Sequence, residues 1–495
     1  MGRNIISLDT EVGGLDFFHG VKPYLVTTCN EDGETKFWEW DVCPFTRQPT
    51  IPDGDLQEIQ QTIDDAGTVV FQNAKFDQHA LATIGLFVPW HKVEDTLRGG
   101  HILGSNLPHN LTDMVIRYLG YNIEPLEIAA KEATTTCRKI IRAGKHDEFE
   151  GWRLAEEDME DMPSVNAGSK RDEDKPWKND MWLPRALLNH YENTGQAWDT
   201  SDEMRNWLTV TSEYANGDSS VTLPLWLFME KAIKDEGLWQ IYKHCMKLAT
   251  IAYGMEHRGV TISGVKTDEL LWSYGVEVAE AADVMLGIAA DVGHDLELPS
   301  GASTNDSLRE MFYGSTRLVC DRCGTEHKVK EWTGAKAVDG TFCPKCAGKK
   351  KAPVNQKCKV KRNPCLNLEY VYSEKSKSGN PTMDKSAMDH YETTLPDGPA
   401  LTFTHTLKGM RSRSTAIAFI GSYKRFWLPI KGSEGWYRLH PSFNPTGTNT
   451  LRWSSYNPNA TNISRKEDFN LRYCFGPAPG REWWALDAQN LELRI

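Results

Sequence analysis

Five side chains in the first 218 residues have the types and spacing for metal-dependent phosphoryl chemistry. Asp9 and Glu11 stand at i and i+2 at the end of a β-branched run, NIISL, and alternate residues of a strand point to one face. A second run, TVVFQ (68–72), leads into NAKFD and puts Asp77 beside the first pair if the two strands are neighbours. Tyr214 and Asp218, in SEYANGD, stand at i and i+4 on one face of a predicted helix. Three carboxylates from strand ends and a fourth on a helix with a phenol can hold two divalent cations roughly 3.5–4 Å apart, one activating water and both offsetting transition-state charge. Taken singly, each motif has an ordinary reading: a DxE arises by chance, an Asx after a strand forms a turn, and a helical Tyr/Asp pair makes a surface hydrogen bond. The ordered set carries the argument.

The elements that must position these groups follow from periodicity. Between the two apolar runs, HGVKPYLVTTCNEDGETKFWEW reads as a hairpin turning at Asn30 to Gly33. Helical periodicity covers about 78–120 and 203–235, so the first half is α/β. The charged, Pro- and Gly-broken stretch 145–180 reads as a loop-rich insertion. Long helices are predicted over about 226–262 and 266–292, a Cys/Lys/Gly-rich segment at 317–366 interrupts them, and helix resumes near 384. After Pro429 the chain turns strand- and turn-rich.

The chain has 495 residues, enough for about three domains. No apolar run reaches the roughly 18 residues of a membrane span, and the start lacks a secretory pattern, so a cytoplasmic location without membrane association is expected. The net charge of −12 is unevenly spread: residues 1–250 hold 24 Lys and Arg against 41 Asp and Glu, and residues 251–495 hold 32 against 27. Within 401–450, seven basic residues and one acidic are interleaved with Phe403, Phe419, Tyr423, Phe426, Trp427 and Trp436. That mixture suits phosphates and stacked bases, and equally suits a solvated basic face beside a core.

LDTE, NAKFD and YANGD, in that order, resemble the three exonuclease motifs of the DEDDy (DnaQ-like) proofreading exonucleases fused to family A (Pol I-like) DNA polymerases. The resemblance implies that Asp9, Glu11, Asp77 and Asp218 bind two Mg2+ or Mn2+ ions and that Tyr214 orients the attacking water. It also implies that Leu15 and Asn73 contact the single-stranded 3′ end of DNA, while Asp95, opening the next helix, reads as structural. The 136 residues between Asp77 and Tyr214 exceed the usual spacing, and an acidic insertion at about 125–200 accounts for the excess.

Further on, GMEHRGVTISGVKTDELL resembles the family's entry into the thumb, with Ser263 where an Asp is usual. ASTNDSLREMF and SGNPTMDKSAMDHY resemble the next family segments, and RLHPSFNPTGTNTLRWSSYNPNATNIS resembles the one before the palm, with Leu451 replacing a Gly. By that resemblance Arg452 and Asn462 contact the primer–template. LRYCFGPAPGREWWALDAQNLELRI resembles the segment that leads into motif A, making Asp487 a polymerase Mg2+ ligand and placing Glu492 and Arg494 at the incoming nucleotide. Without the family, Asp487 is an acid at the end of an apolar strand. The remaining polymerase motifs are absent after Ile495, so the expectation is an N-terminal part of a replicative polymerase whose own polymerase site is incomplete. A second polypeptide would carry the rest, and the compact layout suggests a phage type by analogy.

CDRC (320–323) and CPKC (343–346) are 19 residues apart, the spacing of a four-cysteine structural Zn2+ site formed by Cys320, Cys323, Cys343 and Cys346. Lys328, Lys345 and Lys350 nearby suit DNA or a processivity factor, and equally a solvated surface on a stabilising clip. Cys358 and Cys365 read as substitute ligands or free thiols.

The expected architecture is therefore α/β: an RNase H-like exonuclease domain over 1–232 with its insertion at about 125–200, then a mainly helical thumb region over 233–430 carrying a zinc ribbon at 317–366. The start of an α+β polymerase palm follows at 431–495. Two other readings remain open: a stand-alone 3′→5′ exonuclease whose polymerase remnant binds DNA, and a zinc-bearing interaction protein without activity. The intact Asp9, Glu11, Asp77, Tyr214 and Asp218 argue against the last.

Overall fold

The computed structural model describes residues 4–142, 152, 180–194, 201–298, 306–320, 323–324, 326–328, 358–362, 364–372, 382–445, 452–464 and 470–484. The chain forms two compact units, Met1–Ile262 with Ser422–Ile463 and Phe475–Ile495, and Ser263–Gly421 with Ser464–Cys474.

The first unit is built on a five-stranded mixed sheet flanked by helices. Its strands are β1 (Ile5–Val12), β2 (Pro23–Asn30), β3 (Thr35–Glu39), β4 (Thr68–Phe71) and β5 (Val93–Asp95), in the order β3-β2-β1-β4-β5. β1, β2 and β3 pair antiparallel, and β4 runs parallel to both β1 and β5. The predicted hairpin is present, with Asn30 Oδ1 accepting from the amides of Asp32 and Glu34 and Gly33 at φ 80°. β1 extends through Val12, beyond the NIISL run, because its pairing with β2 continues past the apolar residues. Its first four residues are buried on both faces; then burial alternates, and Asp9 and Glu11 fall on the more open side.

The helices α1 (Asp53–Asp65), α2 (Ala74–Thr83), α3 (Thr96–Leu103) and α4 (Leu111–Leu119) follow the sheet in sequence. Asp95 caps α3, accepting from Leu97 N at 2.9 Å, and Asn110 caps α4, accepting from Asp113 N at 2.8 Å. Two further helices, α5 (Glu124–Arg142) and α6 (Leu183–Thr194), fall within the predicted insertion at about 125–200, on either side of the stretch 145–180, which lies mostly outside the described residues. They are not mere surface: Ala133, Cys137, Leu183 and Leu187 form a second core with Tyr24, Leu25 and Val42. α7 (Ser201–Asp235) packs Val221, Leu225, Trp226, Met229 and Ile233 into the main core with Val69, Val70 and Phe71. Each such side chain contributes roughly 1.5–3 kcal/mol by leaving water.

The predicted helix over 226–262 is interrupted. α7 ends at Asp235, Gly237 takes φ 72°, and α8 (Trp239–Arg258) begins after it. Gly259, at φ 65°, then turns the chain into β6 (Val260–Ser263), and a Cβ there would meet the Leu439 carbonyl oxygen at 2.4 Å. β6 joins a sheet of order β10-β11-β6 with β10 (Leu428–Pro429) and β11 (Trp436–Leu439), beside a hairpin of β12 (Ser442–Asn444) and β13 (Ser454–Tyr456). The predicted strand-rich character after Pro429 is thus present in the described residues.

In the second unit α9 (Gly264–Asp291) begins at Ser263, whose Oγ accepts from Lys266 N at 3.3 Å, so the serine serves as the helix cap. α10 (Asp306–Tyr313), α11 (Lys385–Thr394) and α12 (Pro399–Gly421) share with α9 a core of Met285, Leu308, Phe312, Tyr391, Phe403 and Leu407. The Cys-rich segment contains a three-stranded antiparallel sheet of order β8-β7-β9, with β7 (Thr316–Cys320), β8 (Glu326–Lys328) and β9 (Cys358–Arg362). No helix among the described residues is long and apolar enough to cross a membrane.

Candidate active site: a carboxylate cluster on the central strand

Asp9, Glu11 and Asp218 each bring an oxygen within 4.8 Å of the others. Two come from one face of β1. The third comes from α7, which is fixed to the sheet by Ser7 Oγ donating to the Ser219 carbonyl at 2.6 Å and by Thr27 Oγ1 donating to the Ala215 carbonyl at 3.4 Å. These bonds hold the helix face bearing Tyr214 and Asp218 over Asp9 and Glu11, where the Tyr214 phenol opposes the rise of the Asp218 carboxyl.

Asp77 reaches the cluster by a different route from the expected one. It lies in the first turn of α2, not at a strand end. β4 pairs with β1 only as far as Ser7, which leaves the β1 edge at Thr10 without a strand partner. Asp77 takes its place: its Oδ1 accepts from Thr10 N at 3.1 Å and from Thr10 Oγ1 at 2.8 Å. The chain turns from β4 into α2 at Asn73, which holds φ 73° and donates its amide to Asp95 Oδ1 at 3.1 Å; Ala74 N donates to Asp95 Oδ2 at 3.2 Å. Asp95 therefore clamps two helix starts, as the structural reading of that residue expects.

The electrostatics are those of acids crowded in a cleft. Burial pushes the Asp9 carboxyl up to about 6, with the Thr10 amide opposing. Burial and the Asp9 charge push Asp218 up to about 8. Glu11 rises well above the carboxylate range through burial and then repulsion from Asp9, Asp218 and Asp77, and Asp77 rises through burial and Asp9. Tyr214 is held protonated by burial and by Glu11 and Asp218. Asp9, Glu11 and Asp218 each keep some exposed surface, so they lie at the open side of the cleft although protein surrounds them at longer range. Such a set ionises fully only when a cation is supplied, and the all-oxygen donors suit hard divalent ions. The donor set therefore fits the divalent metals used by exonuclease domains of this kind.

Leu15 and Asn73 line one cleft with Phe76, His79, Phe18 and His440, the last two stacked with ring centroids 3.7 Å apart. Arg452 and Asn462 are exposed and do not belong to the carboxylate cluster. Cys320 is buried and Cys323 exposed at the turn joining β7 and β8. Asp487, Glu492, Arg494, Cys343 and Cys346 lie outside the described residues.

One constellation has no counterpart among the predicted site residues. Glu256 of α8, 2% exposed, pairs with Lys75 Nζ, bonds His79 Nε2 at 2.7 Å and accepts from Phe443 N, while Lys75 Nζ also reaches Ser442 Oγ at 3.1 Å. Burial works to raise Glu256, but the His79 hydrogen bond and the Lys75 charge outweigh it and the carboxyl sits below its ordinary value. The available signal was the i, i+4 spacing of Lys75 and His79 around Asp77; the partner, 181 residues from Lys75, had none.

Residues 2–143 match the family model described as 3′-5′ exonuclease (DNA_pol_A_exo1). No curated protein matches the chain. Among solved structures, the POL domain of Pol1 from M. smegmatis, in complex with DNA primer-template and dNTP, is similar at 14% identity and a TM-score of 0.53. The match covers 95% of this chain and 53% of that one, so this chain spans about half its length. Residues 2–143 thus form a 3′-5′ exonuclease domain, and the chain shares the fold of about half of that polymerase domain.

Proposed function

We propose that the chain is a metal-dependent 3′→5′ DNA exonuclease that proofreads for a family A DNA polymerase, of which it forms the N-terminal part. The observation that carries this is the convergence of Asp9, Glu11 and Asp218 within 4.8 Å, with Tyr214 one helical turn from Asp218 on the same helix. Asp9, Glu11, Asp77 and Asp218 would hold two Mg2+ or Mn2+ ions, which when bound lower the pKa of water and offset phosphoryl charge. Tyr214, on the helix face that carries Asp218, would orient the attacking water toward the terminal phosphorus. Attack forms the new P–O bond and breaks the bond to the O3′ of the preceding nucleotide, which leaves as the shortened 3′ end and takes up a proton. The cleft with Leu15, Asn73 and Phe76 takes the single-stranded 3′ terminus by stacking and polar contact.

Under the same reading Arg452 and Asn462 contact the primer–template, and Asp487, Glu492 and Arg494 serve the polymerase site with a second polypeptide. Cys320, Cys323, Cys343 and Cys346 hold one structural Zn2+, with a processivity factor or DNA as the neighbour of that ribbon. The placement of Cys320 and Cys323 about the β7–β8 turn supports it. A cytoplasmic, phage-type replication protein accords with these parts.

The test is a gel assay on a 5′-labelled primer–template with a mismatched 3′ end in Mg2+, beside Asp9→Ala. The expected outcome is shortening that needs no dNTPs and falls by more than about a hundredfold in the variant. Shortening that persists in Asp9→Ala would place the nuclease elsewhere.

A further inference from the structure

β2 holds one residue more than β1 requires. Glu11 pairs with Leu25 and Val12 with Pro23, so one step along β1 is matched by two along β2, and Tyr24 is the extra residue. A bulge bends its strand and re-aims the side chain it adds. Here the ring goes inward, 2% exposed, among Trp182, Leu183 and Leu187 of the second core. The hydroxyl at its tip has no hydrogen-bond partner among the described residues, and native structures seldom leave such a group unpaired.

Its electrostatic neighbours are Glu11 first, then Asp180, Glu39 and Tyr214. Two of the three carboxylates among them are committed: Asp180 pairs with Arg47 and accepts from Trp182 Nε1 at 3.0 Å, and Glu39 accepts from Arg185 at 2.7 Å. Glu11 alone of them is given no donor by its surroundings among the described residues, although it stands in the carboxylate cluster. By the register, the buried unpaired hydroxyl belongs to the residue inserted next to Leu25, the cross-strand partner of Glu11.

We propose that Tyr24 is a positioning residue of the carboxylate site, its hydroxyl donating to the Glu11 carboxylate directly or through one water when a divalent cation is bound. The proposal rests on the reading of Glu11 as a cation ligand. A ligating carboxylate bonded from outside keeps its orientation and its basicity, and loss of such a bond weakens metal binding and turnover by about tenfold or more. The bulge gives the arrangement a structural cause: without the extra residue in β2, position 24 would follow the regular alternation of the strand and the ring would be aimed differently.

Tyr24→Phe removes the hydroxyl and keeps the ring. The experiment measures Mn2+ binding to the whole chain by calorimetry, the thermal midpoint of the metal-free protein, and kcat and KM on a single-stranded oligonucleotide. Expected are Mn2+ binding weaker by about tenfold, kcat lowered with KM unchanged, and an unchanged or slightly higher metal-free midpoint, since no existing hydrogen bond is lost. A phenol that only fills the core would move the midpoint and nothing else. Unchanged Mn2+ affinity in Tyr24→Phe overturns the proposal. A wild-type chain that binds Mn2+ without shortening DNA sinks the exonuclease reading alone, and the Mn2+ comparison still decides the role of Tyr24.

Discussion

Helix α2 presents Asp77 to one cluster of charges and Lys75 and His79 to another, and the two are balanced in different ways. Residues two apart on a helix point to nearly opposite sides, and residues four apart share one. On the Asp77 side four acids converge with no cationic side chain among the described residues offsetting their charge, and all four titrate above the carboxylate range. On the other side Glu256 meets Lys75 and His79 and titrates below it, while burial lowers both of its partners. Burial is the first-named influence in both clusters, so compensation makes the difference. An uncompensated acidic cluster is poised for a cation from outside, whereas a compensated one is a tie between α2, α8 and the segment at 440–443.

The largest contrast is expected when one member of each cluster is neutralised. Asp218→Asn should lower exonuclease turnover by more than about a hundredfold while raising the metal-free stability near neutral pH, because Asp218, ionised in the unfolded chain, must take up a proton to fold and asparagine need not. Glu256→Gln should do the reverse, costing about 3–5 kcal/mol in urea unfolding by leaving Lys75 buried without its counter-ion. The pair Lys75→Met with Glu256→Leu should recover more than half of that loss, since an apolar replacement of similar size removes both charges together. Equal stability losses from Asp218→Asn and Glu256→Gln would erase the distinction between the clusters.

Titration sharpens the same comparison. The Asp9 carboxyl, ordinarily at 3.8, stands at about 6 in the fold, so the native state binds the proton more tightly than the unfolded chain. Stability from this group is present in acid and is lost as pH rises from about 4 through about 6, by roughly 3 kcal/mol, and Asp218 extends the window to about 8. Metal-free protein should therefore unfold at lower urea at about pH 8.5 than at about pH 5.5, and saturating Mn2+ should narrow or reverse the difference because the ion competes with those protons. A metal-free stability that rises across this range would contradict the raised values.

Much of the site was legible because it is local. Asp9 and Glu11 share a face by the period of a strand, and Tyr214 and Asp218 by the period of a helix; both periods survive folding. Asp77 was placed correctly as a neighbour and wrongly as a strand-end residue, since the sequence does not announce that β4 stops short and a helix fills the vacated edge. Glu256 and Tyr24 were not legible at all. One acts across 181 residues, and the other depends on a bulge whose register exists only in the paired strands. The helices within the acidic insertion were not legible for a related reason: α5 and α6 are held by burial with Tyr24 and Leu25 of β2, which composition does not reveal.

The smallest effect separates backbone from side chain at the joint between the two clusters. Asn73 starts α2 in the left-handed region, where Asn is tolerated and Gly is at ease, and its side chain makes no cap hydrogen bond. Asn73→Gly should therefore leave urea stability within about 1 kcal/mol, because relief at φ 73° and the added freedom of the unfolded chain oppose one another. Both clusters should persist, since the amide that bonds Asp95 belongs to the backbone. If the side chain touches the 3′ end of DNA, the variant raises KM for a single-stranded oligonucleotide by about five- to tenfold, the worth of one lost polar contact. An unchanged KM assigns Asn73 to the turn alone, and leaves recognition of the 3′ end to Leu15 and the aromatic residues of the cleft.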